Sequence, residues 1–101
     1  MEVKVEKDNG LLNVIVVGRL DTNTAPDLES IVNENKSDVN TIKLDFTNLD
    51  YISSAGLRVV LVFHKSMAAI GGKLIISNPK EEVMDVFDMT GFSSFLCIEE
   101  K

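Results

Sequence analysis

Two adjacent serines, Ser53 and Ser54, stand directly before a long apolar segment and are the strongest candidates for chemistry in this sequence. A serine hydroxyl at the start of a helix can accept a hydrogen bond from a free first-turn amide, which is the usual role of an N-cap serine. A phosphate attached at the same place would face free N–H groups and the positive end of the helix dipole. The pair therefore predicts a helix cap or a phosphorylation site.

The segment that follows these serines is free of acidic side chains. Residues 51–80 contain four basic residues, Arg58 among them, and no Asp or Glu, in a chain whose formal charge is −6. One interpretation is that a buried helix and strand leave no room for carboxylates. The other is a docking face, whose charge a phosphate of about −1.5 to −2 would invert. Gly56 costs a helix up to ~1 kcal/mol relative to alanine, and its missing side chain would leave a partner's approach unobstructed.

The chain lacks the residue combinations that most enzymes use. Its single histidine, His64, falls inside the apolar segment, where packing is the ordinary role of a histidine. Cys97 lies between two aliphatic residues and predicts a buried thiol on a strand. Neither of the two common glycine-rich phosphate-binding motifs is present. A small enzyme or nucleotide hydrolase is therefore the least favoured of the functions considered.

Three aspartates offer a different phosphorylation chemistry. Asp21, Asp45 and Asp50 could converge at strand ends, as in a receiver-like domain that accepts phosphate on an aspartate. The order does not fit, because the first strand ends without an acidic pair. One cysteine and one histidine also exclude a multi-cysteine or histidine-rich metal site. We predict no enzyme activity, no catalytic residue, no metal and no cofactor.

Length and charge narrow the class of protein. The 101 residues predict a single domain over residues 1–101, with 45% apolar and 26% charged residues as in ordinary globular proteins. Acidity argues against nucleic acid as the main partner. The N-terminus has no signal-peptide run, and no stretch reaches the roughly 18 apolar residues of a membrane span. A cytoplasmic location is the default expectation.

Apolar periodicity and turn residues predict the elements that must position the serines. The strands and helices are expected as a strand at 2–7, an Asn9-Gly10 hairpin turn, a strand at 11–17 covered on both faces, a helix capped by Thr24 and ending at Asn35, a strand at 41–46, a loop at 48–52, a helix at 55–70 ended by Gly71-Gly72, a strand at 73–77, a helix from Pro79-Lys80 to Met89, a turn at 92–95 and a strand at 96–98. This alternation predicts an α/β layer fold with partly parallel strands.

The helix predicted at 55–70 is apolar around most of its circumference. Such a helix is either fully buried or partly offered to a partner, and both interpretations stay open.

Four ordered motifs resemble the STAS domain family, and specifically the stand-alone anti-sigma factor antagonists of bacteria. The resemblance covers essentially the whole chain, and its most specific part is the segment from Tyr51 to Leu57 before the long helix. The motifs are Gly18-Arg19-Leu20-Asp21 with Thr24-Ala25-Pro26, Leu44-Asp45-Phe46, Tyr51-Ile52-Ser53-Ser54-Ala55-Gly56-Leu57, and Gly72-Lys73-Leu74 with Val86-Phe87 and Thr90-Gly91-Phe92. The resemblance implies a small mixed β-sheet of four to five strands with helices packed mainly on one side.

The resemblance also implies a partner switch. In the family, the unphosphorylated antagonist binds an anti-sigma factor that is also a serine kinase, which frees the sigma factor. Phosphorylation of the serine at the helix start separates the two proteins, and a PP2C-type phosphatase restores binding. The antagonist is thus a regulator and a kinase substrate, and neither nucleic acid nor a membrane span is implied.

The family's functional positions map onto this chain residue by residue. The phosphoacceptor falls on Ser54. Ser53 is the second choice, because this chain has a second serine at the position where many relatives have Asp. Arg58 replaces a common glycine and could neutralise a phosphate one turn away. The positions implied to bind the partner are Asp21, Thr22, Tyr51, Ser53, Ser54, Ala55, Gly56, Leu57 and Arg58.

One alternative within the same fold remains. The chain could be a STAS-like interaction module without a phosphorylation cycle, such as an accessory subunit of a transport assembly. A pull-down would separate the two functions, because a histidine-kinase-like ATPase supports the switch and a membrane permease supports the module.

Overall fold

A computed structural model of the chain describes residues 1–100 as six strands, three α-helices and one 3₁₀ turn. The elements are β1 (Glu2–Asp8), β2 (Leu11–Leu20), α1 (Ala25–Asn35), β3 (Thr41–Asp45), β4 (Leu49–Ile52), α2 (Ser54–Ala69), β5 (Lys73–Ser77), α3 (Glu81–Thr90), the 3₁₀ turn (Phe92–Ser94) and β6 (Cys97–Glu99). The chain thus has the mixed α/β architecture that its periodicity predicts.

A tight hairpin joins β1 to β2. Asn9 and Gly10 form its two-residue turn, with φ angles of 48° and 83°, and Asp8 pairs with Leu11 across it. Both turn positions need positive φ, which asparagine tolerates and glycine adopts freely. The predicted Asn-Gly hairpin is confirmed, and it sets the antiparallel register of the first two strands.

The remaining strand pairs are parallel, and β2 takes part in two of them. The main sheet has the order β1-β2-β3-β5-β6, while β4 pairs with the end of β2 beyond β3. A register shift between Gly18 and Arg19, where Gly18 has φ of 100°, marks the place where β4 pairing begins. This irregularity brings the start of α2 beside the end of β2.

The helices pack on one face of the sheet and leave the other face open. On β2, Leu12, Val14 and Val16 are completely buried, whereas the intervening Ile15 and Val17 are only half-buried. The expectation that β2 is covered on both faces is therefore wrong. The helices cover only the face of β2 that carries its even-numbered residues. This agrees with the other expectation, that the helices pack mainly on one side of the sheet.

Two further expectations are corrected. Residues 49–52 were expected to form a connecting loop because they lack a clear alternation of apolar residues. They form the strand β4, because they pair with the end of β2. Cys97 is exposed, not buried, because it pairs with Ile75 on the open face of the sheet at the edge strand β6. Its apolar neighbours in sequence, Leu96 and Ile98, are the more buried residues.

No helix within residues 1–100 combines the length and the apolar character that crossing a bilayer requires.

Candidate functional site

The candidate site lies where two parallel strands end and α2 begins. The backbone N–H of Ser53 donates to the carbonyl of Leu20 at 2.9 Å, which joins the start of α2 to the end of β2. Ile52, the last residue of β4, is 3% exposed and anchors the same point in the core. The helix start is therefore fixed by strand pairing, and its first residues are held at the carboxyl edge of the sheet.

The two serines occupy different positions in the helix. Ser53 is the N-cap, with extended backbone, and its hydroxyl accepts the N–H of Gly56 at 3.3 Å. Ser54 is the first helical residue, is exposed, and its hydroxyl makes no hydrogen bond to any residue in 1–100. The two roles that the sequence left open thus fall on separate side chains, with capping on Ser53 and an accessible hydroxyl on Ser54.

Gly56 faces the protein interior, which corrects the reason given for it from sequence. It is buried, and a Cβ added there would lie 2.8 Å from Cγ1 of Ile52 and 2.9 Å from Cγ of Leu20. The missing side chain therefore allows α2 to approach β2 and β4 closely, and it does not clear a path for a partner. Glycine is needed here for space, since the backbone at Gly56 is helical.

Asp21 organises the turn between β2 and α1. Its carboxylate accepts the N–H groups of Asn23 at 3.0 Å and Thr24 at 3.1 Å, and the Thr24 hydroxyl also donates to it. Thr24 is the N-cap residue as expected, but its hydroxyl donates to the carbonyl of Arg19 and does not cap α1. Partial desolvation raises the pKa of Asp21, but these hydrogen bonds and the Arg19 guanidinium together lower the pKa below its ordinary value.

Arg19 is a site residue that the sequence reasoning missed. Its guanidinium lies 4.1 Å from the ring centroid of Tyr51 and 3.8 Å from the Asp21 carboxylate, so it joins two of the predicted partner-binding residues. The pairing of Arg19 with Tyr51 depends on β4, which was expected to be a loop. The available signal was its place in the Gly-Arg-Leu-Asp motif, two residues before Asp21.

The predicted partner-binding positions divide by exposure. Thr22, Tyr51, Ser54 and Arg58 are exposed, and Tyr51 keeps 41% of its surface accessible. Three others, Asp21, Ser53 and Ala55, are half-buried, whereas Gly56 and Leu57 are buried. The structure thus brings most of the predicted positions to one accessible end of α2 and assigns the last two to helix packing.

Acidic groups near this end are bonded elsewhere and form no cluster. Asp50 pairs with Lys80, and Asp45 accepts the hydroxyl and the N–H of Thr47. Among residues 1–100, no group of three or more His, Cys, Asp or Glu could hold a metal ion. The receiver-like arrangement of Asp21, Asp45 and Asp50 is accordingly not formed.

The first turn of α2 differs from those of the other helices. Asp27 lies in the first turn of α1 and Glu81 and Glu82 in that of α3, whereas the first turn of α2 contains no acid. An acid near a helix N-terminus satisfies the positive end of the dipole. In α2 no side chain of the first turn supplies this negative charge, so a negatively charged group at Ser54 would be favourable there.

Comparison with known proteins identifies a family model over nearly all of the chain. The STAS domain model matches residues 2–101. BtrV of Bordetella bronchiseptica, named as a candidate anti-sigma factor antagonist, is 35% identical over 99 residues, which cover 97% of this chain and 85% of that protein. The anti-sigma-B factor antagonist of Listeria monocytogenes is 27% identical over 101 residues, covering 98% of this chain and 87% of its own length.

Solved structures share the same fold. The anti-sigma factor antagonist SpoIIAA in its unphosphorylated form superposes with a TM-score of 0.87 at 21% identity, covering 99% of this chain and 88% of that one. The phosphorylated form of the Bacillus cell fate determinant SpoIIAA gives a TM-score of 0.80 at 20% identity, covering 99% and 91%.

Proposed function

This chain belongs to the STAS domain family, and we propose that it is an anti-sigma factor antagonist whose partner binding is switched by phosphorylation of Ser54. In its unphosphorylated form it binds an anti-sigma factor that is a serine kinase, and the sigma factor is released in the cytoplasm. Phosphorylation of Ser54 ends the complex, and a PP2C-type phosphatase restores it. The chain acts here as a regulator and a kinase substrate, not as an enzyme.

The observation that carries this proposal is the exposed, unbonded hydroxyl of Ser54 at the first position of a helix without acids in its first turn. A kinase needs an accessible hydroxyl, and Ser54 can be modified without breaking a hydrogen bond of the fold. Ser53 is half-buried, and its hydroxyl holds the N–H of Gly56. Modification of Ser53 would remove that cap, so Ser54 is the better acceptor of the two.

A phosphate on Ser54 would change the surface without requiring a rearrangement of the core. It adds about −1.5 to −2 charges at a helix N-terminus, where negative charge is favourable. Arg58 is exposed and lies one turn further along α2, within the spacing of an i,i+4 pair. Because SpoIIAA has been solved both with and without phosphate, its two forms support the compatibility of this fold with such a modification.

The direct test is phosphate transfer in a purified system. The serine-kinase anti-sigma factors encoded in the source genome are expressed and incubated with the chain and ATP, and mass spectrometry locates the phosphate. We expect stoichiometric phosphorylation of Ser54 by one of them and release of that partner on modification. Absence of phosphate from both Ser54 and Ser53 with every kinase would contradict the proposal, and capture of a membrane permease instead would favour the transport-module alternative.

Paired substitutions separate the two serines. Ser54→Ala should remove phosphate incorporation and keep partner binding, while Ser54→Asp should lose the complex. Ser53→Ala is the matched control, because it deletes the helix cap and should lower the unfolding free energy by about 1 kcal/mol while phosphorylation of Ser54 continues. Phosphorylation that disappears in Ser53→Ala but persists in Ser54→Ala would move the switch to Ser53.

A further inference from the structure

The solvent-exposed residues of α2 form one continuous stripe that begins at the proposed phosphorylation site. At 100° per residue they fall within an arc of about 120°, and the helix carries them over a length of about 22 Å. We call this set the α2 stripe, and its members are Ser54, Arg58, Val62, Lys65, Ala68 and Ala69.

The α2 stripe is basic and apolar in a chain of charge −6. Its two cations, Arg58 and Lys65, have no salt bridge to any residue in 1–100. The exposed faces of the two other helices carry acids instead. These are Asp27 and Glu34 on α1, and Glu81, Glu82, Asp85 and Asp88 on α3. The positive charge of the helix layer is therefore concentrated on the one helix that starts at Ser54.

Folding stability does not explain the apolar part of the stripe. Val62 is 37% exposed in the middle of α2, and a β-branched residue has lower helix propensity than the alanine or lysine around it. Ile70, the C-cap residue just beyond the stripe, is 61% exposed. Exposed apolar residues aligned with unpaired cations fit a face that another protein covers.

The partner-binding positions predicted at the serine end are fewer than the residues that a typical stable interface uses. A typical interface buries about 800 Å² on each partner and uses roughly 20–30 residues a side. Two of the nine predicted partner-binding positions, Gly56 and Leu57, are buried and contribute no surface. The first turns of α1 and α3 contain acids, Asp27 and Glu81 among them, whereas α2 contains no carboxylate along its whole length, so α2 offers the surface continuous with Ser54 that is free of negative charge.

We propose that the α2 stripe is a docking face for a surface of the anti-sigma factor that has an apolar centre and carboxylates beside it. This inference rests on the proposed function and states which part of the molecule the partner covers. It also gives the phosphate a second effect. A phosphate on Ser54 would pair with Arg58 one turn away and so compete with a partner carboxylate for that cation.

The test uses the anti-sigma factor kinase that phosphorylates Ser54, with binding to the unphosphorylated full chain measured by titration calorimetry. We expect Val62→Glu and Lys65→Glu each to weaken binding by at least about tenfold. Val62→Glu would place a charge against the apolar centre of the partner surface, and Lys65→Glu would place a negative charge against a partner carboxylate. Unfolding does not confuse the result, since Val62 is exposed and glutamate has the higher helix propensity. Circular dichroism and thermal unfolding of each variant verify this.

Charge-matched controls lie away from the α2 stripe. Lys4→Glu changes the charge by the same amount on β1, where Lys4 pairs with Ile15 on the open face of the sheet. Asn33→Glu adds one negative charge on the exposed surface of α1, as Val62→Glu does on α2. Both controls should bind within about twofold of the wild type.

Binding of the two stripe variants at wild-type strength would overturn the docking face and leave the Ser54 switch intact. Equal weakening by the controls would also overturn it, because net charge would then explain the effect. If no kinase binds or phosphorylates the wild-type chain, the proposed function fails and the docking face fails with it.

Discussion

At the start of α2, the hydroxyl of Ser53 accepts the N–H of Gly56, while the adjacent hydroxyl of Ser54 faces solvent. This division has a thermodynamic consequence for the proposed switch. Adding or removing a phosphate on Ser54 breaks no hydrogen bond within the fold. The modification therefore changes mainly the binding free energy of the complex with the partner. The helix cap remains in place in both states.

Asp21 gives a prediction about pH at the scale of a single residue. The folded pKa of Asp21 lies below its reference value of 3.8, so the ionised carboxylate stabilises the fold at neutral pH. That contribution is complete above the unfolded pKa and is lost as the pH falls through the lower, folded pKa. We expect Asp21→Asn to destabilise the protein at pH 7 and to differ less from the wild type below about pH 4.

Urea unfolding of both proteins at several pH values measures this difference. Asp38→Asn, which removes one negative charge from an exposed aspartate in the turn after α1, is the charge-matched control. A stability gap between Asp21→Asn and wild type that grows on acidification would contradict the assigned direction of the pKa shift.

Single residues of the site were predictable where local chemistry decides their role. The serines before an apolar helix and the aspartate after a strand carry their signals in neighbouring residues. Gly56 and Arg19 were not, because their roles come from contacts between elements. Gly56 meets Leu20 from β2, and Arg19 stacks on Tyr51 from β4.

The packing of α2 against β2 and β4 gives a prediction at the scale of elements. Gly56→Ala gains up to ~1 kcal/mol of helix propensity, but its Cβ would lie 2.8 Å from Ile52 and 3.0 Å from the carbonyl of Leu20. Overpacking of this kind costs about 1–3 kcal/mol. We expect a net destabilisation of about 1–2 kcal/mol in equilibrium unfolding, although the substitution is favourable in an ordinary helix.

A double variant tests whether the close contact is the cause. Ile52→Ala removes the nearest atom, so the pair Gly56→Ala and Ile52→Ala should lose less stability than the sum of the two single losses. A Gly56→Ala protein more stable than the wild type would show that the first turn of α2 can shift away from the strands.

Elements with a clear apolar period or clear flanking signals were predictable, and β4 was not. The bounds of α1 and β5 follow from spacing and flanking residues, and α3 ends at Gly91, whose φ of 81° is typical of a glycine after a helix. β4 has only four residues, buried at its two ends and exposed between them, which matches neither a strand nor a helix period. Only its pairing with β2 identifies it.

The layered arrangement of the whole molecule predicts unequal sensitivity on the two faces of the sheet. Ile75 and Ile76 are consecutive on β5, and Ile76 is completely buried under the helices while Ile75 lies half-buried on the open face. We expect Ile76→Ala to lower the unfolding free energy by about 3–4 kcal/mol and Ile75→Ala by about 1 kcal/mol.

Because residue type, strand and substitution are the same, each variant is the control for the other in chemical denaturation. Equal losses at the two positions would mean that the second face is covered as well. The sequence did not reveal this asymmetry on β2, where apolar residues follow one another without alternation.

The hairpin between β1 and β2 has a consequence for the speed of folding. It is closed by the two-residue turn Asn9-Gly10, whereas every other strand pair within residues 1–100 is parallel and joins strands separated by longer connections. Closing long loops costs entropy before their contacts form, and such topologies fold slowly. The hairpin can therefore form first and offer β2 as the edge on which β3 and then β5 assemble.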